Sequence, residues 1–152
     1  MPPDKHMKTA AEVLLVDDNA GDAELTAELL RRNDRPIHTH SVSDGVEAMA
    51  FLRREGKYSG APLPHLIVLD LKMPRKDGWA VLGDVKSDDA FKGIPVVVFT
   101  TSEACLDVAH CYELGVNCYV SKPGDLAGYT STVVAIGDYW FGVASLVRQE
   151  EQ

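Results

Sequence analysis

Three carboxylates, one hydroxyl and one ammonium each follow a short apolar run of the sequence. They are Asp17, Asp18, Asp70, Thr100 and Lys122. Carboxylates that lie close together raise one another's pKa, and a hard divalent cation such as Mg²⁺ relieves their repulsion. One carboxylate could then attack a phosphoryl group while the hydroxyl and the ammonium neutralise the transferred oxygens. These residue types therefore suit metal-assisted phosphoryl transfer to a carboxylate.

Such a site can form only if the elements that precede these residues end at one edge of one sheet. Five apolar runs predict strands, and the amphipathic stretch after each run predicts a helix. The runs are residues 12–16, 37–42, 66–69, 94–99 and 118–121. Strands that alternate with helices form a parallel sheet covered on both faces. Right-handed crossovers favour a doubly wound α/β fold with strand order 2-1-3-4-5, whose crevice lies beyond the carboxyl ends of the first and third strands.

Length and composition limit the function further. The 152 residues suit one domain, which we place at residues 10–149 after a flexible tail of residues 1–9, with no output domain. A formal net charge of −8 disfavours direct binding of nucleic acid. No apolar run approaches the roughly 18 residues of a membrane span, and the start lacks a signal-peptide core. The three cysteines form no C-x-x-C pair, which indicates a reducing compartment, so we expect a cytoplasmic protein.

Four segments, in this order and spacing, resemble the receiver domain of bacterial two-component response regulators. They are LLVDDN, IVLDLKMPRKDG, VVVFTTS and YVSKP. The resemblance covers residues 10–146. It implies a five-stranded fold of the flavodoxin-like type and phosphoryl transfer from a sensor histidine kinase to an aspartate. A protein of this kind is a phosphoacceptor in signalling and not an enzyme acting on a separate substrate.

The resemblance also implies a role for individual residues. Asp70 would be the phosphoacceptor, with Mg²⁺ or Mn²⁺ as the cofactor. The implied metal ligands are Asp17, Asp18, Asp70 and the backbone carbonyl of Lys72. Thr100 and Tyr119 would be switch residues, Lys122 would contact the phosphate, and Pro123 would follow a cis peptide. Phosphorylation would change the face formed by the fourth helix, the fifth strand and the fifth helix, where a downstream protein or a second copy would bind.

A narrower resemblance is to stand-alone regulators that are paired with phytochrome-type histidine kinases. It rests on the segments NAGDAELTAELL, RREGKYSGAPLPH, PVVVFTTS, DVAHCYELGVNCYVSKP and GDYWF. It implies a light-sensing histidine kinase as the donor. Lys72 and Thr101 depart from the pattern of this subgroup, and both bear on the lifetime of the phosphorylated state.

The last predicted helix, residues 125–147, carries more apolar side chains than one contact with a sheet needs. One stripe at helical spacing comprises Tyr129, Val133, Ile136, Trp140 and Val143. Other apolar residues fall largely off this stripe, namely Val134, Tyr139, Phe141 and Leu146. The excess predicts a second buried contact, most simply a twofold dimer, and the alternative is a wider contact with the core.

Each motif taken alone also has a purely structural explanation. The acidic pair before the first helix can cap that helix, and Tyr119 can be a packed core aromatic. His38 and His40 lie on one face of the predicted second strand. A metal site there is possible, but solvated edge-strand side chains are favoured because no third ligand is evident.

Three other functions compete with a phosphorylation-dependent regulator. The protein could be a phosphate sink or shuttle, or a scaffold that binds partners without being phosphorylated. It could also be a phosphatase that forms an aspartyl phosphate. Such a phosphatase needs a second acid two residues after its nucleophile, and the sequence has Lys72 at that position.

Overall fold

Five parallel strands lie in the order β2-β1-β3-β4-β5 in the computed structural model, which describes residues 10–102 and 104–146. The strands are β1 (Ala11–Val16), β2 (Ile37–Val42), β3 (Leu66–Leu69), β4 (Val96–Thr100) and β5 (Cys118–Ser121). The predicted doubly wound fold and its strand order are therefore confirmed. The predicted tail, residues 1–9, and residues 147–149 of the predicted domain lie outside the described residues.

Five helices connect and follow these strands in the described part of the chain. They are α1 (Ala20–Leu30), α2 (Gly45–Arg53), α3 (Gly78–Ser87), α4 (Cys105–Glu113) and α5 (Leu126–Asp138). Four of them begin at a capping side chain that accepts a hydrogen bond from a backbone N–H of the first turn. These caps are Asn19, Asp44, Asp77 and Asp125. Such caps satisfy N–H groups that have no partner inside the helix, so they fix where each helix starts.

Two apolar layers enclose the sheet. Helices α2, α3 and α4 cover one face, and α1 and α5 cover the other. Strands β3 and β4 are buried along their whole length, which explains why their sequences are continuous apolar runs without alternation. Cys111 is a buried free thiol and Cys118 a half-buried one, whereas the side chain of Cys105 lies outside what the structure describes. None of the described helices is both long and apolar enough to span a membrane.

The predicted long last helix is wrong beyond Asp138, because a π-helical segment, Tyr139–Val143, replaces its regular turns. The Ala144 N–H donates to the Tyr139 carbonyl at 2.7 Å, so this turn holds one more residue than an α-helical turn. The wider turn moves the apolar stripe by changing which side chains face the sheet. Phe141 is buried with 8% exposure, whereas Val143 is 75% exposed, the reverse of the prediction.

The predicted cis peptide before Pro123 is also wrong, because the described residues contain no cis peptide bond. The trans form is favoured at bonds to proline by about 0.5–1 kcal/mol. In the trans form the Lys122 backbone N–H donates to the Thr100 carbonyl at 2.7 Å, which continues the pairing of β5 with β4.

Candidate functional site

The carboxyl ends of β1 and β3 bring two of the predicted acids side by side. Val16 and Leu69 are partners in the register of the two strands, so Asp17 and Asp70 leave the sheet at the same level. The Asp70 N–H donates to the Val16 carbonyl at 2.9 Å, which fixes that level. The burial of the preceding apolar strands thus determines where both carboxylates emerge.

Asp17, Asp18 and Asp70 form a group that could hold a metal ion. One carboxylate oxygen from each lies within 4.8 Å of the others. The Asp17 and Asp70 side chains are only 10% and 12% exposed, and Asp18 lies on the solvent side. Oxygen ligands of this kind at the edge of a cleft fit a Mg²⁺ or Mn²⁺ ion that keeps several waters. The role predicted for the Lys72 carbonyl stays a prediction, and the Lys72 side chain is exposed.

Lys122 supplies the positive charge of the site. Its side chain is 4% exposed, and its Nζ donates to Asp17 Oδ2 at 2.7 Å and to Asp70 Oδ2 at 3.4 Å. Burial by itself would lower the pKa of this ammonium, but the hydrogen bonds and charges of the surrounding carboxylates outweigh burial and raise it. Burial raises the pKa of Asp17, and the contact with Lys122 offsets only part of that shift. The raised pKa of Lys122 reflects the three carboxylates around it, whose negative charge a divalent cation would partly neutralise.

Thr100 lies at the end of β4, directly against the predicted phosphoacceptor. Its side chain is fully buried, and its hydroxyl donates to Asp70 Oδ1 at 2.7 Å. A hydroxyl in this place can donate equally well to an oxygen of a group attached to Asp70. Thr101, the next residue, is exposed.

Tyr119 lies on β5 and reaches the segment that follows Thr100. Its hydroxyl donates to the Ser102 carbonyl at 2.8 Å, and its ring packs against the core cluster under α3 and α4. Burial raises the pKa of Tyr119, so the phenol stays protonated and keeps donating at neutral pH. The ring therefore touches both the core and the chain beside Thr100, and its predicted switch role stays a prediction.

The segment between Asp70 and α3 is held at both ends by close backbone contacts. A Cβ on Gly78 would lie 2.2 Å from the Asp70 carbonyl oxygen, and the Gly78 N–H donates to the Leu71 carbonyl at 2.9 Å. The Gly45 N–H at the start of α2 donates to the Lys76 carbonyl at 2.9 Å. This segment carries Lys72, so α2 and α3 together fix the chain that follows the predicted phosphoacceptor.

An ion pair adds to this anchorage. The Arg75 Nε donates to Asp44 Oδ2 at 2.8 Å, and Asp44 is buried with 5% exposure. Burial opposes the shift, but the Glu47 N–H and the Arg75 guanidinium lower the pKa of Asp44. The pair therefore stays charged at neutral pH.

Sequence reasoning missed Asp22, which the structure places on Lys122. Asp22 Oδ2 lies 2.9 Å from Lys122 Nζ, and 100 residues separate the two in the chain. An acidic residue in the first turn of a helix is ordinary, because it interacts favourably with the helix dipole. Its position in the sequence therefore did not indicate a contact with Lys122, which directly follows β5.

His38 and His40 lie away from this site and have a common partner. His38 Nδ1 lies 3.1 Å from Glu12 Oε2, and His40 Nε2 lies 2.7 Å from Glu12 Oε1. Glu12 comes from β1, so the sequence of β2 alone could not show it. One Glu12 carboxylate thus bridges the two histidines at the sheet edge. The His38 side chain is 65% exposed and the His40 side chain 30%, so the favoured explanation of solvated side chains fits His38 better than His40.

The order of the motifs, the parallel sheet and the acidic group at its carboxyl edge define a class of protein. Residues 13–133 match the family model of the response regulator receiver domain. The chain therefore belongs to this family, whose members are signalling proteins.

Individual relatives narrow the comparison. Response regulator Rcp1 of Synechocystis sp. is 41% identical over 134 residues, which is 88% of this chain and 91% of Rcp1. The phosphorylated cyanobacterial phytochrome response regulator RcpA is 43% identical with a TM-score of 0.89, over 92% of this chain and all of RcpA. The bacteriophytochrome response regulator RtBRR is 36% identical with a TM-score of 0.72, over 95% of this chain and 85% of RtBRR. The predicted resemblance to regulators of phytochrome-type kinases is therefore confirmed.

One of these relatives has been solved with a bound metal ion. Rcp1 has a solved structure in a Mn²⁺-bound form, which is 40% identical with a TM-score of 0.87 and covers 91% of this chain and 99% of that one. A divalent cation bound to this relative is in keeping with the acidic group of the present chain as a candidate cation site.

Proposed function

We propose that this protein is a response regulator that accepts a phosphoryl group on Asp70 from a phytochrome-type sensor histidine kinase. The observation that carries the proposal is the direct contact of Asp70 with both Thr100 and Lys122, beside the acidic group at the carboxyl edge of the sheet. A nucleophilic carboxylate, a hydroxyl donor, an ammonium and a metal site are the parts that phosphoryl transfer requires. The kinase partner and the free cysteines suit the cytoplasm.

In the proposed reaction a carboxylate oxygen of Asp70 attacks the phosphorus of the kinase phosphohistidine. The O–P bond forms as the N–P bond breaks, and the electron pair of that bond stays on the imidazole nitrogen. Lys122 moves its donor from Asp70 Oδ2 to a phosphoryl oxygen, and Thr100 donates to another. Asp17, Asp18, Asp70 and the Lys72 carbonyl would hold Mg²⁺, which supplies charge neutralisation for the phosphoryl oxygens when it is bound.

The first test is covalent labelling of the purified protein with a small acyl phosphate in the presence of Mg²⁺. We expect the wild type to gain the mass of one phosphoryl group, because its nucleophile and charge-neutralising groups are already together. Asp70→Asn should gain nothing, and a chelator should suppress labelling of the wild type. Unlabelled wild type would instead support a scaffold that works without phosphorylation.

The same pair of proteins tests the donor. Wild type should take the phosphoryl group from a phytochrome-type kinase, and Asp70→Asn should not. Rapid loss of the group from the kinase without any change in partner binding would favour a phosphate sink or shuttle. Turnover of a generic phosphoester would favour a phosphatase, although Lys72 stands where its proton donor would be needed.

We further propose that the α4-β5-α5 face, formed by α4, β5 and α5 with its π-helical segment, binds a second copy or a downstream protein. Six large apolar residues are exposed in the described part of the chain, and five of them belong to α4, α5 or the π-helical segment. Those five are Leu106, Tyr112, Leu126, Tyr139 and Val143. A shallow apolar hollow of about 450 Å³ lies between β5 and α5. Exposed apolar groups concentrated on one face are typical of an interaction surface.

Sedimentation velocity tests the homodimer. We expect wild type to dimerise, and Tyr139→Glu to weaken dimerisation by at least about tenfold, because a charge on a 52% exposed apolar side chain would be buried in the interface. The matched control is Val46→Glu on α2, an exposed apolar residue outside this face, and it should dimerise like wild type. Monomeric wild type at every concentration, with and without phosphodonor, would contradict the dimer.

A further inference from the structure

Lys122 has three N–H donors, and the structure gives it three carboxylate partners. Its Nζ lies 2.7 Å from Asp17 Oδ2, 2.9 Å from Asp22 Oδ2 and 3.4 Å from Asp70 Oδ2. Asp17 belongs to the acidic group that could hold a metal, and Asp70 is the proposed phosphoacceptor. Of these three partners of Lys122, Asp22 belongs neither to the acidic group nor to the proposed phosphorylation site.

This difference matters once the site is in use. The Asp17 carboxylate would share its charge between a bound metal and the ammonium, and phosphorylation would turn the Asp70 carboxylate into a neutral acyl group. Two of the three partners of Lys122 are thus weakened by the chemistry itself. Neither step involves Asp22, so its carboxylate can hold the ammonium in place while one donor of the ammonium turns to a phosphoryl oxygen.

The backbone of Asp22 is held in place by two further contacts. At one end of the residue, its N–H donates to Asn19 Oδ1 at 2.9 Å, which starts α1. At the other end, its carbonyl accepts a hydrogen bond from the Tyr129 hydroxyl of α5 at 3.2 Å. The Thr26 and Tyr129 hydroxyls lie 2.6 Å apart, and both residues are buried. A buried polar contact between α1 and α5 therefore holds the backbone of Asp22 at a defined distance from Lys122.

We propose that Asp22 is a positioning residue for Lys122, which it holds from α1 over the carboxylate of Asp70. This inference rests on the proposed phosphorylation of Asp70. Asp22 touches neither the phosphoryl group nor the metal, and it acts through the lysine. The contact also joins the phosphorylation site to the α1–α5 pair, on the face of the sheet opposite to Tyr119.

The test compares Asp22→Asn with Glu24→Gln in labelling by a small acyl phosphate at saturating Mg²⁺. Glu24→Gln removes the same charge from the same helix, beside Asp17 and Asp18, at an exposed residue that does not contact Lys122. We expect Asp22→Asn to lower the maximal labelling rate by at least about fivefold, because the ammonium loses its fixed geometry. Glu24→Gln should leave that rate unchanged and only improve the apparent affinity for the anionic donor. Asp22→Glu, which keeps the charge, should restore the rate to within about twofold of wild type.

Two other measurements separate positioning from other causes. Mg²⁺ affinity should be nearly the same in Asp22→Asn and wild type, since Asp22 is outside the acidic group. Tyr129→Phe removes the hydroxyl that holds the Asp22 carbonyl, and it should lower the maximal rate in the same direction but by less. This second variant keeps the test valid if Asp22→Asn folds poorly.

Three outcomes would overturn the inference. They are a maximal rate in Asp22→Asn equal to that of Glu24→Gln, a rate faster than wild type, or a loss of Mg²⁺ affinity as large as the loss of rate. In each case labelled wild type and unlabelled Asp70→Asn would leave the proposed function intact. Unlabelled wild type would instead remove the proposed function itself.

Discussion

Gly78→Ala is expected to lower the free energy of unfolding by about 3 kcal/mol, because the new methyl has no room. A Cβ at this position would lie 2.2 Å from the Asp70 carbonyl oxygen and 2.6 Å from the Leu71 Cα. Both atoms belong to the backbone, so the clash cannot be relieved by a change of side-chain rotamer. Helix α3 would have to shift away and lose the hydrogen bond from the Gly78 N–H to the Leu71 carbonyl. Chemical denaturation of the purified variant measures the loss.

The matched control is Gly83→Ala in the same helix. Apart from the adjacent residues and the backbone of α3 itself, no atom of the described residues lies within 4 Å of a Cβ at Gly83. Alanine there should raise the free energy of unfolding by about 0.5–1 kcal/mol, because glycine is a poor helix former. Equal stability of the two variants would contradict the close approach of α3 to the Asp70 segment. The remaining folded Gly78→Ala protein should also be labelled slowly, since the shift displaces the chain around Asp70, the proposed phosphoacceptor.

Lys122→Met is expected to destabilise the protein by about 3 kcal/mol at neutral pH, because three carboxylates lose the buried ammonium that pairs with all of them. The methionine fills much of the space of a side chain that is 4% exposed, so the loss reflects charge more than packing. The variant should also be labelled more slowly at Asp70, because the phosphoryl oxygens lose the Lys122 ammonium as a partner.

The pH dependence of this variant has a defined sign. In wild type the pKa of Lys122 is raised, so its contribution to stability is complete below its ordinary value of 10.5 and is lost as pH rises through the higher folded value. Lys122→Met should lack that alkaline loss. Burial already raises the pKa of Asp17, and removal of the ammonium raises it further, so the folded state takes up protons more readily. The difference in free energy of unfolding between wild type and Lys122→Met should therefore become smaller as pH falls from 7 toward about 5.

An exposed lysine provides the control for this prediction. Lys92 pairs with Asp89 at 2.9 Å, but the two side chains are 59% and 95% exposed. Lys92→Met should change the free energy of unfolding by no more than about 0.5 kcal/mol, because exposed ion pairs contribute little. Mg²⁺ should also reduce the stability deficit of Lys122→Met, since a cation held by the folded acidic group would offset part of the lost positive charge. A Lys122→Met protein as stable as Lys92→Met at neutral pH would contradict the charge balance described for the site.

The sequence by itself determined the sheet and the residues at its carboxyl edge. Strands such as Leu66–Leu69 are continuous apolar runs, and their ends are visible because a polar residue such as Asp70 follows at once. Alternation of strands with helices then leaves few topologies, and the order β2-β1-β3-β4-β5 is one of them. Burial pattern and handedness are local or general properties, so they can be inferred without coordinates.

Only the tertiary structure decided which atoms of this edge touch. The contact of Asp22 with Lys122 joins residues 100 positions apart, and it exists because α1 and α5 pack on one face of the sheet. Phe141 is buried and Val143 is exposed, the reverse of the prediction, because one π-helical turn interrupts the α-helix. Helical periodicity cannot predict such a turn. Hydrogen bonds and helix turns of this kind depend on distances of an ångström or less. Those distances are set by how whole elements pack, which the pattern of residue types does not contain.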